Sequence, residues 1–260
     1  MVKIHKRGTF QFPKHSFPYY GQAIGIIMFE PKKEGGLSTR IPGDVGNATT
    51  FDFPVVYKIL RGVEGKDVVR REPAPETELK IVDTTRELEK EGVRAIGTTC
   101  GFMIFFQEAM AKAVSIPVFS SSLLQVPIVS RSLGRGQRVG IITFDSRELS
   151  KEHLRRAGID ESIPIAIFGL ETLPPEKRWN RIGELDPQKR LEMIEDRVIY
   201  AAKQLIAKNP DVGAIVLECT YLPPAAAAVQ EATGLPVFDV TTLLNWAYDA
   251  IVRRRFEGFM

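Results

Sequence analysis

The chain repeats itself once, and this constrains its possible folds more than any other feature. The run "AIGIIMFEP" (23–31) returns as "RVGIITFDS" (138–146), "VRAIGTTCGFM" (93–103) as "VGAIVLECTYL" (212–222), and "SIPVFSSSLL" (115–124) as "GLPVFDVTTLL" (234–244). The order is kept, and the offset barely drifts: Gly25 and Gly140 lie 115 residues apart, Cys100 and Cys219 lie 119 apart, as do Phe119 and Phe238. Two related units are expected, divided near 129/130. Within each, short apolar runs alternate with helical patterns, and the runs are continuous rather than alternating. Parallel strands covered on both faces by helices give that pattern. The fold class read from the chain is therefore α/β, with two pseudo-symmetric domains, each a parallel sheet flanked by helices.

Helix signals fall between the runs. Asp186-Pro187 marks a start, and Leu191, Ile194, Val198, Ala201 and Leu205 recur at helical spacing until Asn209-Pro210 stops them. Further helices are expected over about 75–91 and 147–157, each ending before a glycine. Residues 31–54 are rich in Gly and Pro and show no periodicity. A connection of this length inside a compact domain is usually functional or disordered, which leaves two readings, a closing or binding loop and a loose insertion. "GRGQRVG" (134–140) precedes its strand, the wrong order for a phosphate loop, and reads as a turn.

Bulk properties exclude several classes. A formal charge of +3 is too small and dispersed for a nucleic-acid surface, and the cluster Arg253 to Arg255 reads as a solvated helix end. The basic N-terminus lacks the apolar stretch of a secretory signal, and no window approaches the apolar length of a membrane span. A cytoplasmic protein with no membrane association is expected. The three histidines, His5, His15 and His153, have no metal-ligand spacing with one another or with the cysteines, so no metal is expected.

Only two cysteines occur, at equivalent points of the duplication, each where a strand-like run stops. Ligands of parallel α/β sheets collect beyond the carboxyl ends of the strands. At such turns, unpaired backbone N–H groups favour an anion and are expected to lower a thiol's pKa. If the halves face each other, one thiolate can take the proton from a carbon next to a carboxylate while the opposite thiol returns one to the other face. No cofactor is needed, but N–H and hydroxyl donors must stabilise the carbanion-like intermediate, and Thr98, Thr99 and Thr220 stand beside the cysteines. Glu218 would raise the thiol pKa of its neighbour if directed toward it, but strand alternation could equally turn it away. Phe102, Met103, Phe105 and Phe106 read as core, with Phe102, nearest the thiol, the one candidate for a substrate wall.

With these residues in view, the chain resembles the aspartate/glutamate racemase superfamily, which includes hydantoin racemases, maleate isomerases and arylmalonate decarboxylases. The carriers are "IGII" at the first strand, "TTCGF" around Cys100, "VGIIT" opening the second half and "ECTYLPP" around Cys219; "GDVGNATTF" (43–51) looks like a shortened Gly-rich loop of aspartate racemases. The resemblance implies an active site at the domain interface, cofactor-independent proton transfer on a small carboxylate-bearing substrate, and a homodimer. It also implies that the C-terminal helix, about 241–256, returns to the first domain, giving domains 1–129 plus 241–260 and 130–240. By position, Cys100 and Cys219 become the acid/base pair. Thr99, Gly101, Phe102, Thr220 and Tyr221 become substrate neighbours, with Asn47, Thr49 and Thr50 closing from the loop. Thr143 and Ser146, at the end of the second half's first strand, and Arg40, a possible carboxylate partner, complete the set. Gly101-Phe102 stands where amino-acid racemases carry Asn-Thr, and Tyr221 where relatives carry His or Glu, which points away from aspartate or glutamate. The expected activity is a cofactor-independent racemase or epimerase acting next to a carboxylate or carbonyl of an amino acid or derivative, aspartate/glutamate-like or hydantoin-like. The alternatives are a maleate-isomerase-like cis–trans isomerase with a nucleophilic cysteine and a non-catalytic two-domain protein that binds small acids.

Overall fold

A computed structural model describes residues 21–30, 41–179, 185–256 and 258. The duplication is realised as two four-stranded parallel sheets with the same strand order. The first contains β1 (Ile24–Phe29), β2 (Val55–Leu60), β3 (Ala95–Thr98) and β4 (Val118–Phe119), ordered β2-β1-β3-β4; the second contains β5 (Arg138–Thr143), β6 (Ile165–Gly169), β7 (Val212–Leu217) and β8 (Val237–Phe238), ordered β6-β5-β7-β8. The four central strands are buried along most of their length because helices cover both faces.

Helices α1 (Gly65–Val68), α2 (Pro75–Lys90), α3 (Gln107–Ala113) and α4 (Val126–Ser132) belong to the first half; α5 (Lys151–Arg156), α6 (Pro187–Lys208), α7 (Ala226–Thr233) and α8 (Val240–Ile251) follow. In α6 the predicted stripe faces inward: Ile194, Val198, Ala201 and Leu205 are buried, and the Asp186 side chain caps the first turn by accepting the Lys189 N–H at 3.1 Å. The duplication extends to close packing. A Cβ at Gly25 would lie 2.9 Å from Leu88 and 3.2 Å from Val93, and one at Gly140 would lie 2.7 Å from Leu205 and 3.0 Å from Val212. Each half thus needs glycine in its first strand where a helix leucine crosses the sheet.

Two helix boundaries differ from expectation. The helix expected over 147–157 begins only at Lys151, because the Asp145 carboxylate takes the Arg147 N–H at 3.0 Å in a local turn and Ser150 forms a capping box with His153. The helix expected to reach 256 ends at Ile251. Beyond it, Arg253 to Arg255 and Phe256 are exposed and offer no face to bury, so they lie past the helix end rather than within it.

The halves share one core. Ile96, Phe102, Leu123 and Val126 from the first cluster with Val139, Ile141, Ala214 and Val216 from the second. Helix α8 lies on the first sheet, where Leu244 and Val240 pack with Ile24, Ile26 and Ala95, and Leu244 would meet a Cβ at Gly97 at 2.8 Å. The Gln125 amide donates to the Asp239 carbonyl at 2.8 Å and accepts from the Thr242 hydroxyl at 2.9 Å, tying the start of α8 to the segment before α4.

His153 marks a second contact between the halves. Its ring is fully buried, with centroids 5.3 Å from Phe102 and 5.2 Å from Phe105; Nδ1 is 2.8 Å from the Ser150 hydroxyl, and Nε2 has no hydrogen-bond partner among the described residues. Burial, aided by the Arg156 charge, lowers its pKa to about 4, so it is neutral near pH 7. The folded state then binds its proton less readily than the unfolded chain. The stability this site contributes is therefore complete above the unfolded pKa of about 6.5 and falls as pH drops toward 4, by about 1.4 kcal/mol per pH unit. Urea unfolding at pH 8 and pH 5 should show wild type losing about 2 kcal/mol more than His153→Leu over that interval; equal losses would contradict a neutral buried imidazole.

Candidate active site

The two cysteine turns arise from equivalent strand ends. The Thr99 N–H donates to the Ile27 carbonyl at 2.9 Å, and at the matching point of the second half the Glu218 N–H donates to the Ile142 carbonyl at 2.8 Å. In each half the chain then leaves its sheet at the next residue, a cysteine. The turns meet across the junction between the halves: the Thr220 hydroxyl donates to the Thr99 carbonyl at 2.7 Å, and the nearby Ser122 hydroxyl donates to the Leu217 carbonyl at 2.8 Å. Both thiols are free, Cys100 half-buried and Cys219 buried, and the Cys100 charge acts on Cys219.

Gly101 and Glu218 fix how closely the turns approach. A Cβ at Gly101 would overlap both the carboxyl group and the backbone carbonyl of Glu218, so only glycine fits. Glu218 is 1% exposed; its Oε2 accepts the Thr143 hydroxyl at 2.9 Å, and its Oε1 has no hydrogen-bond partner among the described residues. Burial raises its pKa to about 7, against the lowering effect of the Thr143 hydroxyl and the Phe144 N–H. Of the two orientations open in the sequence, the structure selects the one in which the Glu218 charge reaches both thiols.

The expected lowering of the thiol pKa values is reversed. Burial, reinforced by the Glu218 charge, pushes Cys100 up to about 12, although the Phe102 and Met103 N–H groups favour its thiolate. Burial and Glu218 likewise hold Cys219 well above the ordinary thiol range, with Cys100 and Asp44 adding to the effect and the Tyr221 N–H opposing it. Desolvation of a charged sulfur outweighs the two backbone donors at Cys100 and the one at Cys219.

Several expected hydroxyl donors are engaged by the protein frame. Thr98 donates to the Ser120 carbonyl at 2.7 Å, Thr143 to Glu218, Thr220 to Thr99, and Ser146 to Glu171. Thr50 donates to the Asp44 carbonyl at 2.7 Å, while Asn47 accepts the N–H and hydroxyl of exposed Thr49. Residues 41–50 pack as a compact turn rather than a loose loop. Gly43 has a positive φ of 92°, and a Cβ there would lie 2.9 Å from Pro224, just beyond Cys219. The turn is thereby seated on the second half, with buried Asp44 acting on Cys219. Phe102 is 1% exposed and packs against His153, so its ring belongs to the core and its N–H, not its ring, serves Cys100. Arg40 lies outside the described residues.

Among the described residues, no group of three or more His, Cys, Asp or Glu side chains could hold a metal ion, and no helix is long and apolar enough to cross a membrane. The junction between the halves carries two free thiols, one buried carboxyl whose charge reaches both, and backbone donors at each sulfur.

Comparison with known proteins agrees with this reading of the fold. The chain is similar to dimethylsulfoniopropionate lyase of Durusdinium sp. clade D, 32% identical over 204 residues that cover 76% of this chain and 66% of that protein. It is 28% identical over 211 residues to dimethylsulfoniopropionate lyase 7 of Emiliania huxleyi, covering 78% of this chain and 61% of that one. The match therefore spans less than two thirds of either relative's length. Allantoin racemase from Pseudomonas fluorescens shares the fold, with a TM-score of 0.57 at 13% identity over 91% of this chain and 99% of that one. The Asp/Glu/hydantoin racemase family model matches residues 55–247, which include both cysteine turns, the first half from β2 onward and all four strands of the second. This chain belongs to the Asp/Glu/hydantoin racemase family.

Proposed function

We propose that the thiols of Cys100 and Cys219 transfer protons at the carbon next to the carboxylate of a small substrate, and that the reaction is an elimination when the following carbon carries a cationic leaving group. The observation that carries this reading is the placement of two free thiols at equivalent ends of β3 and β7, on turns joined by the Thr220–Thr99 bond and the Gly101–Glu218 contact. Removing a proton next to a carboxylate leaves an electron pair that can expel a group from the adjacent carbon. With a sulfonium there, as in dimethylsulfoniopropionate, the products are a neutral sulfide, an unsaturated carboxylate and one proton. Two features favour a cationic group: the relatives' activity, and the acidic residues Glu218 and Asp44 that act on Cys219.

Incubating the protein with dimethylsulfoniopropionate should release dimethyl sulfide, measured in the gas phase, with acrylate appearing in equal amount by proton NMR. Racemisation or epimerisation is the second reading, favoured by the pseudo-symmetric placement of the thiols, which suits proton removal from one face and return to the other. Candidate amino acids and hydantoins in D₂O should then gain deuterium at the stereocentre. If neither sulfide nor deuterated product forms while small acids still bind, the protein is a binding module and the proton-transfer reading is wrong.

A further inference from the structure

The reversed thiol pKa values leave a gap in any mechanism that needs a thiolate near neutral pH, and Glu218 is placed to fill it. Its Oε1 has no hydrogen-bond partner among the described residues and lies against Gly101, the residue after Cys100. Oε2 is held from the other side by the Thr143 hydroxyl at 2.9 Å. The groups around the carboxyl are Cys100 with the Gly101 turn, Cys219 on its own segment, and Thr143 with the Phe144 N–H from the end of β5; Asp44 reaches Cys219 from the Gly-rich turn. No cation acts on the carboxyl among the described residues. A buried carboxylate and a half-buried thiolate within reach of its charge repel each other, so the pair holds one negative charge more readily than two.

We propose that Glu218 and Cys100 form a coupled pair carrying a single negative charge, with Glu218 taking up the thiol proton when the thiolate forms. In that exchange the S–H bond breaks with its electron pair left on sulfur and an O–H bond forms on the Glu218 carboxyl; no hydrogen bond joins Oε1 to the Cys100 sulfur, so the proton passes through solvent. The thiolate then takes the substrate's proton and becomes a thiol again. In an elimination, the one proton the reaction releases departs from Glu218 to solvent, restoring the starting charge. Glu218 acts through the thiol and is therefore a positioning residue. This inference rests on the two-thiol reading of the site, but its test needs no substrate.

The test is the pH dependence of Cys100 alkylation by iodoacetamide in the full-length protein, followed by mass spectrometry of the Cys100 peptide from pH 5 to pH 10. In wild type the rate should rise about tenfold per pH unit and then level off above about 7, as ionised Glu218 begins to oppose the thiolate. In Glu218→Gln the rise should continue without a break, so that by pH 9 the variant reacts at least about 10-fold faster than wild type. Thr143→Val keeps the carboxyl but removes its hydroxyl donor, so the break should persist and move to higher pH; this variant carries the test should Glu218→Gln fold poorly. Parallel profiles in wild type and Glu218→Gln, or a break unmoved in Thr143→Val, would overturn the proposal. A break that behaves as expected in a protein inactive on every carboxylate tried would instead count against the proposed function alone.

Discussion

Replacing Cys100 or Cys219 with serine is expected to cut turnover, by about 10³-fold for a thiol that takes the substrate's proton, within the range that positioned acid or base groups contribute. A serine hydroxyl is close in size to a thiol but a far weaker acid, so it fits the site without supplying the proton chemistry. Neither substitution should unfold the protein. Cys100 is half-buried and Cys219 makes no disulfide, so circular dichroism and the unfolding midpoint should stay close to wild type. The double variant should lose little more than the worse single one, because groups that act as a unit are not additive. The two readings of the function separate here. Racemisation needs a sulfur on each face, so both single variants should fall alike. Elimination needs one sulfur to take the proton, and the two losses should then differ. If both serine variants kept turnover within tenfold of wild type, proton transfer by the thiols would be ruled out under either reading.

The scaffold that brings these thiols together was open to reading from the sequence because it rests on local, repeated signals. Continuous apolar runs at constant offset give two parallel sheets of identical strand order, and the spacing from Leu191 to Leu205 gives the inward stripe of α6. The position of each cysteine at a strand end follows from the same periodicity. What the sequence hid is what depends on neighbours distant in the chain. Glu218 stands alone as a charge within "VGAIVLECTYL", and a lone charge in a buried run is a signal in its own right. Its reach toward Cys100 depends on the other half of the protein, 118 positions earlier in the chain. The thiol pKa expectation failed for a related reason: turn donors can be inferred locally, but the desolvation that outweighs them is set by how the halves close. Thr98, Thr143, Ser146 and Thr220 were readable as donors, yet the acceptors they meet are supplied by tertiary structure.

Gly101→Ala should be the most damaging small substitution at the junction. The added methyl would overlap two parts of Glu218, and they differ in how easily they can yield. The carboxyl can rotate, at the cost of its bond to Thr143. The backbone carbonyl cannot move without shifting the end of β7 and, with it, Cys219. Overpacking against rigid backbone in a buried site costs about 3 kcal/mol, the upper part of the usual range. The relaxation that relieves the clash pushes the two cysteine turns apart, and a displacement of about 1 Å between reacting groups lowers turnover about 10²-fold. Gly65→Ala is the control, since no atom lies within 4 Å of a Cβ there, and it should change stability by less than about 0.5 kcal/mol. Adding Glu218→Ala to Gly101→Ala removes the carboxyl but leaves the carbonyl, so urea unfolding should show only part of the lost stability recovered. Full recovery would mean that the side chain alone set the spacing. A Gly101→Ala protein as stable and active as wild type would mean that the two turns do not meet as described.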